Sequence, residues 1–247
     1  AAITNFDLGI LEASKKDLII ECCDNILNGM FDDQFPLKIW QTGSGTQTNM
    51  NVNEVISNIG ALKNGSEIGK NKPLHPNDDV NKCQSSNDAF PAAIQISVAR
   101  ELHNKLFHSI DNIYESLEIK KEEWKNFIKI GRTHFQDAVP MTYGQEISSW
   151  SDQIKQSKES ILKSLEDLYY LPLGGTAIGT GINCPNNFSE KIIKILSQET
   201  NLPFKKAANY FSLMSSHDRL ANIMGQLKNL ACSLFKISND IRILSSG

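Results

Sequence analysis

The chain has no excess of basic residues. Its 25 Lys and Arg against 28 Asp and Glu leave a net charge of -3, and no Lys/Arg cluster forms the electrostatic footprint that nucleic acid requires. No apolar run approaches the ~20 residues that span a bilayer, and the N-terminus lacks the basic and apolar regions of a secretory signal. A soluble protein is expected, in the cytoplasm, or in the mitochondrial matrix if the source is a eukaryote. Cysteine is scarce. Cys22, Cys23, Cys83, Cys184 and Cys232 are odd in number and show no metal-ligand spacing, which argues for reduced intracellular thiols rather than a disulfide framework. No period-two apolar run of useful length marks a strand, and no repeat marks a solenoid. The glycine-rich run Gly174-Gly175-Thr176 to Gly179-Thr180-Gly181 lacks the Gly-Lys-Ser/Thr ending of a phosphate loop, so it reads as a turn-rich connector. These absences leave a small molecule as the expected partner.

What is present is helical periodicity. Ser14 with Asp17 three residues on suits a helix start, Leu18, Ile19, Cys22, Ile26 and Leu27 repeat at helical spacing, and Gly29 suits the stop. A helix with Pro91 near its first turn carries one continuous stripe through Ile94, Val98, Leu102, Leu106, Ile110, Ile113 and Leu117. Another, from about Gly144 to Leu168, repeats Ile147, Trp150, Ile154, Ile161, Leu165 and Leu168 on one face. In the last helix Leu220, Ile223, Leu227, Leu230, Leu234, Ile237, Ile241 and Leu244 alternate steps of three and four, the seam of a long bundle helix. The class is all-α. With no initiator Met and a helix running to Gly247, both ends look cut and a fragment is expected.

Three polar clusters interrupt the helices: Ser44 to Asn53, His75 to Asp88, and Thr133 to Gln136. The last belongs to Gly131-Arg132-Thr133-His134, which is read as a loop between two helices. Hydroxyls and amides beside helix ends are commonly caps, and a His before Pro commonly sits in a turn. The same groups can hold an anion where helix N-H donors converge. A dicarboxylate suits neutral donors of this kind, because they avoid burying opposed charges and can strengthen as charge builds in a transition state. His134 is the side chain most easily poised for proton transfer. His103, His108 and His217 lack such neighbours in sequence and read as surface or packing residues.

Together the runs WQTGSGTQTNMNVNEV, HPNDDVNKCQSSNDAFP, IKIGRTHFQDAVPMTYGQE, LPLGGTAIGTG and LKNLACSLFKISNDIR resemble class II fumarase, of the fumarase/aspartase superfamily, across essentially the whole chain. The resemblance implies a long helical bundle of the fumarase/aspartase type that forms the core of a homotetramer, with each active site shared among three chains. It implies reversible hydration of fumarate to (S)-malate, a tricarboxylic acid cycle step, by anti addition of water through an aci-carboxylate intermediate, with no metal and no organic cofactor. By motif match, Ser44, Gly45, Thr46, Ser85, Ser86, Asn87, Thr133 and His134 bind substrate, with Thr133 and His134 as the catalytic pair. His75, Pro76, Asn77 and Asp78 match a second dicarboxylate site. Residues 1-81 match the remainder of an N-terminal domain and 82-247 the central bundle domain. Neither nucleic acid nor membrane is implied.

In the family the general base is a serine on a later loop, GSSxMPxKxN, which is absent from this sequence. A molecule that ended at 247 is expected to be inactive, and a longer one active. Aspartase shares the scaffold but typically has Gln in place of His134. A non-catalytic helical scaffold, as in lens crystallins of the superfamily, would show degraded site residues, whereas the matched positions here are intact.

Overall fold

The computed structural model describes residues 1-246; Gly247, the last residue of the expected bundle domain, lies outside them. In chain order the helices are α1 (Ala2–Asp7), α2 (Ala13–Leu27), α3 (Thr46–Lys63) and α4 (Ser86–Glu101), then α5 (Phe107–Glu123), α6 (Tyr143–Leu168), α7 (Phe188–Thr200), α8 (Tyr210–Ser215) and α9 (Asp218–Leu244). Strands are few: β1 (Ile128–Thr133), β2 (Gln136–Thr142), and the two-residue β3 (Tyr170–Leu171) and β4 (Lys205–Lys206). The all-α class holds, with one correction. The stretch read as a loop around His134 is an antiparallel hairpin of β1 and β2.

Two compact units interleave along the chain. The first comprises Ala1–Ser97 and Tyr169–His217, the second Val98–Leu168 and Asp218–Gly247. In the first, α2 packs on α3 around a cluster of Leu11, Ile19, Cys22, Val55, Ile56, Ile59, Leu74 and Val80. Gly60 sets how closely α3 approaches its neighbours, since a Cβ there would stand 3.0 Å from Leu74 and 3.3 Å from Leu18. The helix expected from Ser14 begins one residue earlier, at Ala13, with Glu12 at its N-cap and no side-chain cap. The polar cluster from Ser44 to Asn53, read as an interruption between helices, is largely helical itself, because α3 starts at Thr46.

In the second unit α6 packs against both α5 and α9. All six apolar residues expected on one face of α6 are buried, each contributing about 1.5–3 kcal/mol relative to exposure. On α9 three of the eight seam residues, Ile223, Leu230 and Ile237, at strict seven-residue spacing, are buried, while Ile241 and Leu244 of the seam, and Met224 and Phe235 outside it, are exposed. Trp150 Nε1 donates to Asp240 Oδ2 at 3.1 Å, tying α6 to α9. The stripe read as continuous through α4 and α5 contains a π turn at Leu102–Leu106. It moves the next buried residue from Leu106 to Phe107, five positions after Leu102, because a π turn accommodates an extra residue.

Candidate active site

In the first unit a backbone device and an amide network assemble the donors. Gly45 caps α3 at φ +74, a conformation a Cβ would strain, and a Cβ there would also fall 2.1 Å from the Phe90 ring. This lets the Ser44 loop lie against α4. Ser44 Oγ links Thr42 Oγ1 at 3.2 Å to Thr46 Oγ1 at 3.4 Å, a short run of hydroxyls. Asn49 Nδ2, one turn into α3, donates to Ser86 Oγ at 3.0 Å and to Asn81 Oδ1 at 3.2 Å. Asn53 Nδ2 reaches the same Asn81 Oδ1 at 3.1 Å. Ser86 thus accepts from Asn49 and keeps its own proton to donate to a ligand.

Ser85-Ser86-Asn87-Asp88 is a capping box. Asn87 N donates to Ser85 Oγ at 3.2 Å, and Ser85 N donates to Asp88 Oδ1 at 2.8 Å. Asp88 does more than cap: its Oδ2 accepts from Gly174 N at 3.1 Å and Thr176 N at 2.8 Å, pinning the glycine connector to the start of α4. Asp88 is fully buried, and burial pushes its carboxyl up to about 6 even though backbone N-H donors pull the other way. Asn87 Nδ2 donates to the Ala177 carbonyl at 2.7 Å, closing the same join.

Ser44 and Asn87 line a cleft of about 670 Å³ together with Pro91, Phe211, Ser215 and His217. Its lining holds no Lys, Arg, Asp or Glu. Gly45 and Thr46 stand beside Ser44 at the head of α3. Ser85 and Ser86 line a second cleft of about 340 Å³ with Asn77, Asn81, Cys83 and Thr176. The structure therefore gathers Ser44, Gly45, Thr46, Ser85, Ser86 and Asn87 in one unit, split between two neighbouring concavities that share Ala177. His217 belongs to the first of these, an exposed residue whose place in a cleft its sequence neighbours did not signal. Asp88 and Asn81 were also unmarked as site residues; the Ser-x-x-Asp capping pattern was the available signal for Asp88.

At the matched second site, His75 Nδ1 accepts from Asn77 N at 3.2 Å and Asp78 N at 3.1 Å, capping a π turn at Pro76–Val80. Asp79 accepts His75 N at 2.8 Å and pairs with Lys15 at 2.8 Å, bracing the turn from behind. Asp78 Oδ2 stands 3.5 Å from His75 Nδ1. That nitrogen already accepts two N-H groups.

Thr133 and His134 belong to the second unit. β1 and β2 pair with Thr133 opposite Gln136, so His134 and Phe135 alone form the turn, at φ +51 and +59. Positive φ at both central residues matches the right-handed twist of a hairpin and is what a type I′ turn needs, yet neither residue is the Asn or Gly that adopts it at low cost. The strained turn presents the imidazole at an exposed tip. Gly131 sits at a register irregularity in β1, where a Cβ would stand 2.8 Å from the Val139 carbonyl, and Arg132 Nε donates to Asp137 Oδ1 at 3.2 Å across the ribbon. Lys129, paired with Glu146 and 4.9 Å over the Tyr143 ring, fastens the hairpin to α6. His103 packs edge-on against Phe107 at 5.2 Å, the packing role expected of it.

Among the described residues no group of three or more His, Cys, Asp and Glu side chains could hold a metal ion, and no helix is long and apolar enough to cross a membrane.

Comparison with known proteins places this arrangement. The model of a family described as "Lyase" matches residues 1–247. The chain is similar to the class II fumarate hydratase of Prochlorococcus marinus subsp. pastoris, 63% identical over all 247 residues and covering 54% of that protein. It is similar in structure to a class II fumarase from Schistosoma mansoni, with a TM-score of 0.95 and 44% identity over the whole chain and 55% of the other. A fumarate lyase:delta crystallin from Brucella melitensis bound to cobalt matches at a TM-score of 0.91 and 35% identity, over the whole chain and 53% of the other. The chain spans about half the length of the curated relatives it matches.

Proposed function

The chain belongs to this lyase family, and on that premise we propose that the complete protein is a fumarate hydratase that interconverts fumarate and (S)-malate. The observation that carries this reading is the cleft at Ser44 and Asn87, which offers neutral hydroxyl and amide groups without a lining acid or lysine. Such donors accept a dianion without leaving a buried charge unpaired when the site is empty.

In this reading Ser44, Thr46, Ser85, Ser86 and Asn87 of one chain hold the two carboxylates, with Gly45 giving the backbone close approach, and Thr133 and His134 come to the same substrate from another chain of the homotetramer. Removal of a proton from the carbon next to a carboxylate drives charge onto that carboxylate, an aci-dianion that fixed donors stabilise because they need no reorganisation as charge develops. Ser86, already an acceptor from Asn49, directs its proton to the substrate. His134 relays a proton through water to the departing hydroxyl, a role worth roughly 10²–10⁴-fold. The base that takes the carbon-bound proton comes from a part of the complete protein beyond this sequence. A homotetramer with sites shared among three chains is part of the proposal, supported by the exposed apolar residues Met224, Phe235 and Ile241 on α9. So are the cytoplasm as compartment, a domain cut after residue 81 and a peripheral dicarboxylate site at His75, Pro76, Asn77 and Asp78, where a carboxylate gains the two amides once the imidazole turns away.

The test follows the ultraviolet absorbance of fumarate's conjugated double bond as malate is added to the complete protein and to its His134→Asn variant. Fumarate should accumulate with the wild type, and kcat should fall by roughly 10²–10⁴ in the variant. Asn tolerates the left-handed backbone at this position, so the variant keeps the turn. Release of ammonia from aspartate by a wild type that leaves malate untouched would overturn the assignment in favour of aspartase.

A further inference from the structure

Three amide side chains stand behind Ser86, and the bonds among them run in one direction. Asn81 Oδ1 accepts from Asn49 Nδ2 at 3.2 Å and from Asn53 Nδ2 at 3.1 Å, while Asn81 Nδ2 donates to the Gln84 carbonyl at 3.2 Å. Asn49 Nδ2 turns its other proton to Ser86 Oγ at 3.0 Å. Asn53 is buried, and Asn49 and Asn81 are half-buried. The backbone fixes Asn81 independently of these bonds. It caps the C-terminal end of the π turn at Pro76–Val80, its N-H donates to the Pro76 carbonyl at 3.0 Å, and its carbonyl accepts from Gln84 N at 2.9 Å.

A side-chain amide can sit either way round, and its two ends have opposite hydrogen-bonding character. Reversing Asn81 would set its NH2 against the NH2 groups of Asn49 and Asn53, and its oxygen against the Gln84 carbonyl. All three contacts would then be like on like, so the orientation of Asn81 is determined three times over. Reversing Asn49 would in turn set its oxygen against Asn81 Oδ1, which obliges Asn49 to offer N-H to Ser86. A serine hydroxyl has one proton and two lone pairs. With one lone pair taken by Asn49, the proton is left for a group on another side, and Ser86 lines the cleft of about 340 Å³ together with Ser85 and Asn81. Without the Asn81 oxygen, the Asn49 amide could turn over and take the Ser86 proton for itself. The cleft would then meet a lone pair, which repels a carboxylate.

We propose that Asn81 is a positioning residue for the substrate carboxylate: acting through Asn49, it sets the direction of the Ser86 hydroxyl so that Ser86 meets the carboxylate as a donor. Asn81 needs no contact with the substrate to do this. The identity of the ligand as a dicarboxylate rests on the hydratase reading, whereas the direction of the Ser86 proton follows from the three amides alone.

The experiment is a pair of double-mutant cycles on the complete protein, read as kcat/KM for malate. Asn81→Ala should lower kcat/KM about 10-fold, the lower end of what a hydrogen bond to a charged group contributes. In a Ser86→Ala background the same substitution should cost less than about twofold, because no hydroxyl remains to be directed. It should cost equally little in an Asn49→Ala background, where the link is already cut. Losses that multiply in the Ser86 cycle overturn the proposal and leave Asn81 a general role in holding the fold. Losses that multiply in the Asn49 cycle alone overturn the relay and mean that Asn81 works through the Gln84 backbone. Should Asn81→Ala fail to fold, Asn49→Ala carries the test, since Ala is the residue that best keeps α3 helical. That variant should show the same loss, abolished by Ser86→Ala, and an Asn49→Ala enzyme as active as the wild type overturns the proposal. A wild type that leaves malate untouched removes the hydratase reading alone, and the same cycles are then read in the dissociation constant for succinate, a saturated dicarboxylate. Non-additive losses there uphold the role of Asn81, and additive losses, or a wild type that binds no succinate, overturn it.

Discussion

Replacing Asp88 by Asn decides a competition that the structure sets up at the heart of the site. Asp88 is fully buried and accepts from the backbone of Ser85, Gly174 and Thr176. Burial disfavours its charge and the three donors favour it. Burial wins, and the carboxyl rises from 3.8 to about 6. That rise corresponds to about 3 kcal/mol. Since the folded value lies above the unfolded one, the contribution is fully present below 3.8 and is lost as pH climbs through about 6. The neutral amide has nearly the same shape and does not titrate, so other ionisable groups cancel in the difference between the two proteins. Between about pH 4 and pH 7 the wild type should therefore lose about 3 kcal/mol relative to Asp88→Asn. The assay is urea unfolding of both complete proteins at fixed protein concentration across that range, because an oligomer's midpoint moves with concentration. A flat difference, or a wild type that gains with rising pH, would refute the reasoning and mean that the three N-H groups outweigh burial.

Two further substitutions test the backbone devices. Gly45→Ala places a Cβ 2.1 Å from the Phe90 ring at φ +74; about 2–5 kcal/mol of stability should be lost, since overpacking and left-handed strain add, and malate KM should rise as the Ser44 loop moves, with unfolding midpoints and steady-state kinetics as the readouts. Phe135→Gly relieves a bulky residue at φ +59 whose ring is 77% exposed; thermal unfolding should shift upward by the equivalent of about 1 kcal/mol, and a downward shift would mean that the ring is packed in the complete protein.

The long helices were legible because their signal is local and repeated. Ile147, Trp150, Ile154, Ile161, Leu165 and Leu168 mark one face of α6 without reference to any other part of the chain, and every one is buried. The hairpin was not legible. Ile128–Thr133 has one buried residue, Gly131, and no clean alternation, while its turn is built from His and Phe rather than the Asn-Gly pair that announces a type I′ turn. α3 was half legible: Thr46, Asn49 and Asn53 read as loop residues because their side chains usually compete with a helix backbone, yet here Asn49 and Asn53 bond to Asn81 and Ser86 on another segment. Asp88 shows the same limit at greater range. Its capping of Ser85 is written three residues apart, but its grip on Gly174 and Thr176 joins positions more than eighty residues distant, which no local pattern encodes. The donors at Ser44 and Asn87 could be named from their motifs; that they line a common cleft with His217 came only from the fold.

The π turn at Leu102–Leu106 gives the α4 to α5 run a tolerance that α6 lacks. Loss of one residue within 102–106 would bring Leu102 and Phe107 from five positions apart to four, still one face of an ordinary α-helix, so the buried stripe would survive. The same deletion in the middle of α6 would rotate everything beyond it by about 100° and carry Ile161, Leu165 and Leu168 out of the core. Length variation along this scaffold should therefore be absorbed at 102–106 and rejected in α6.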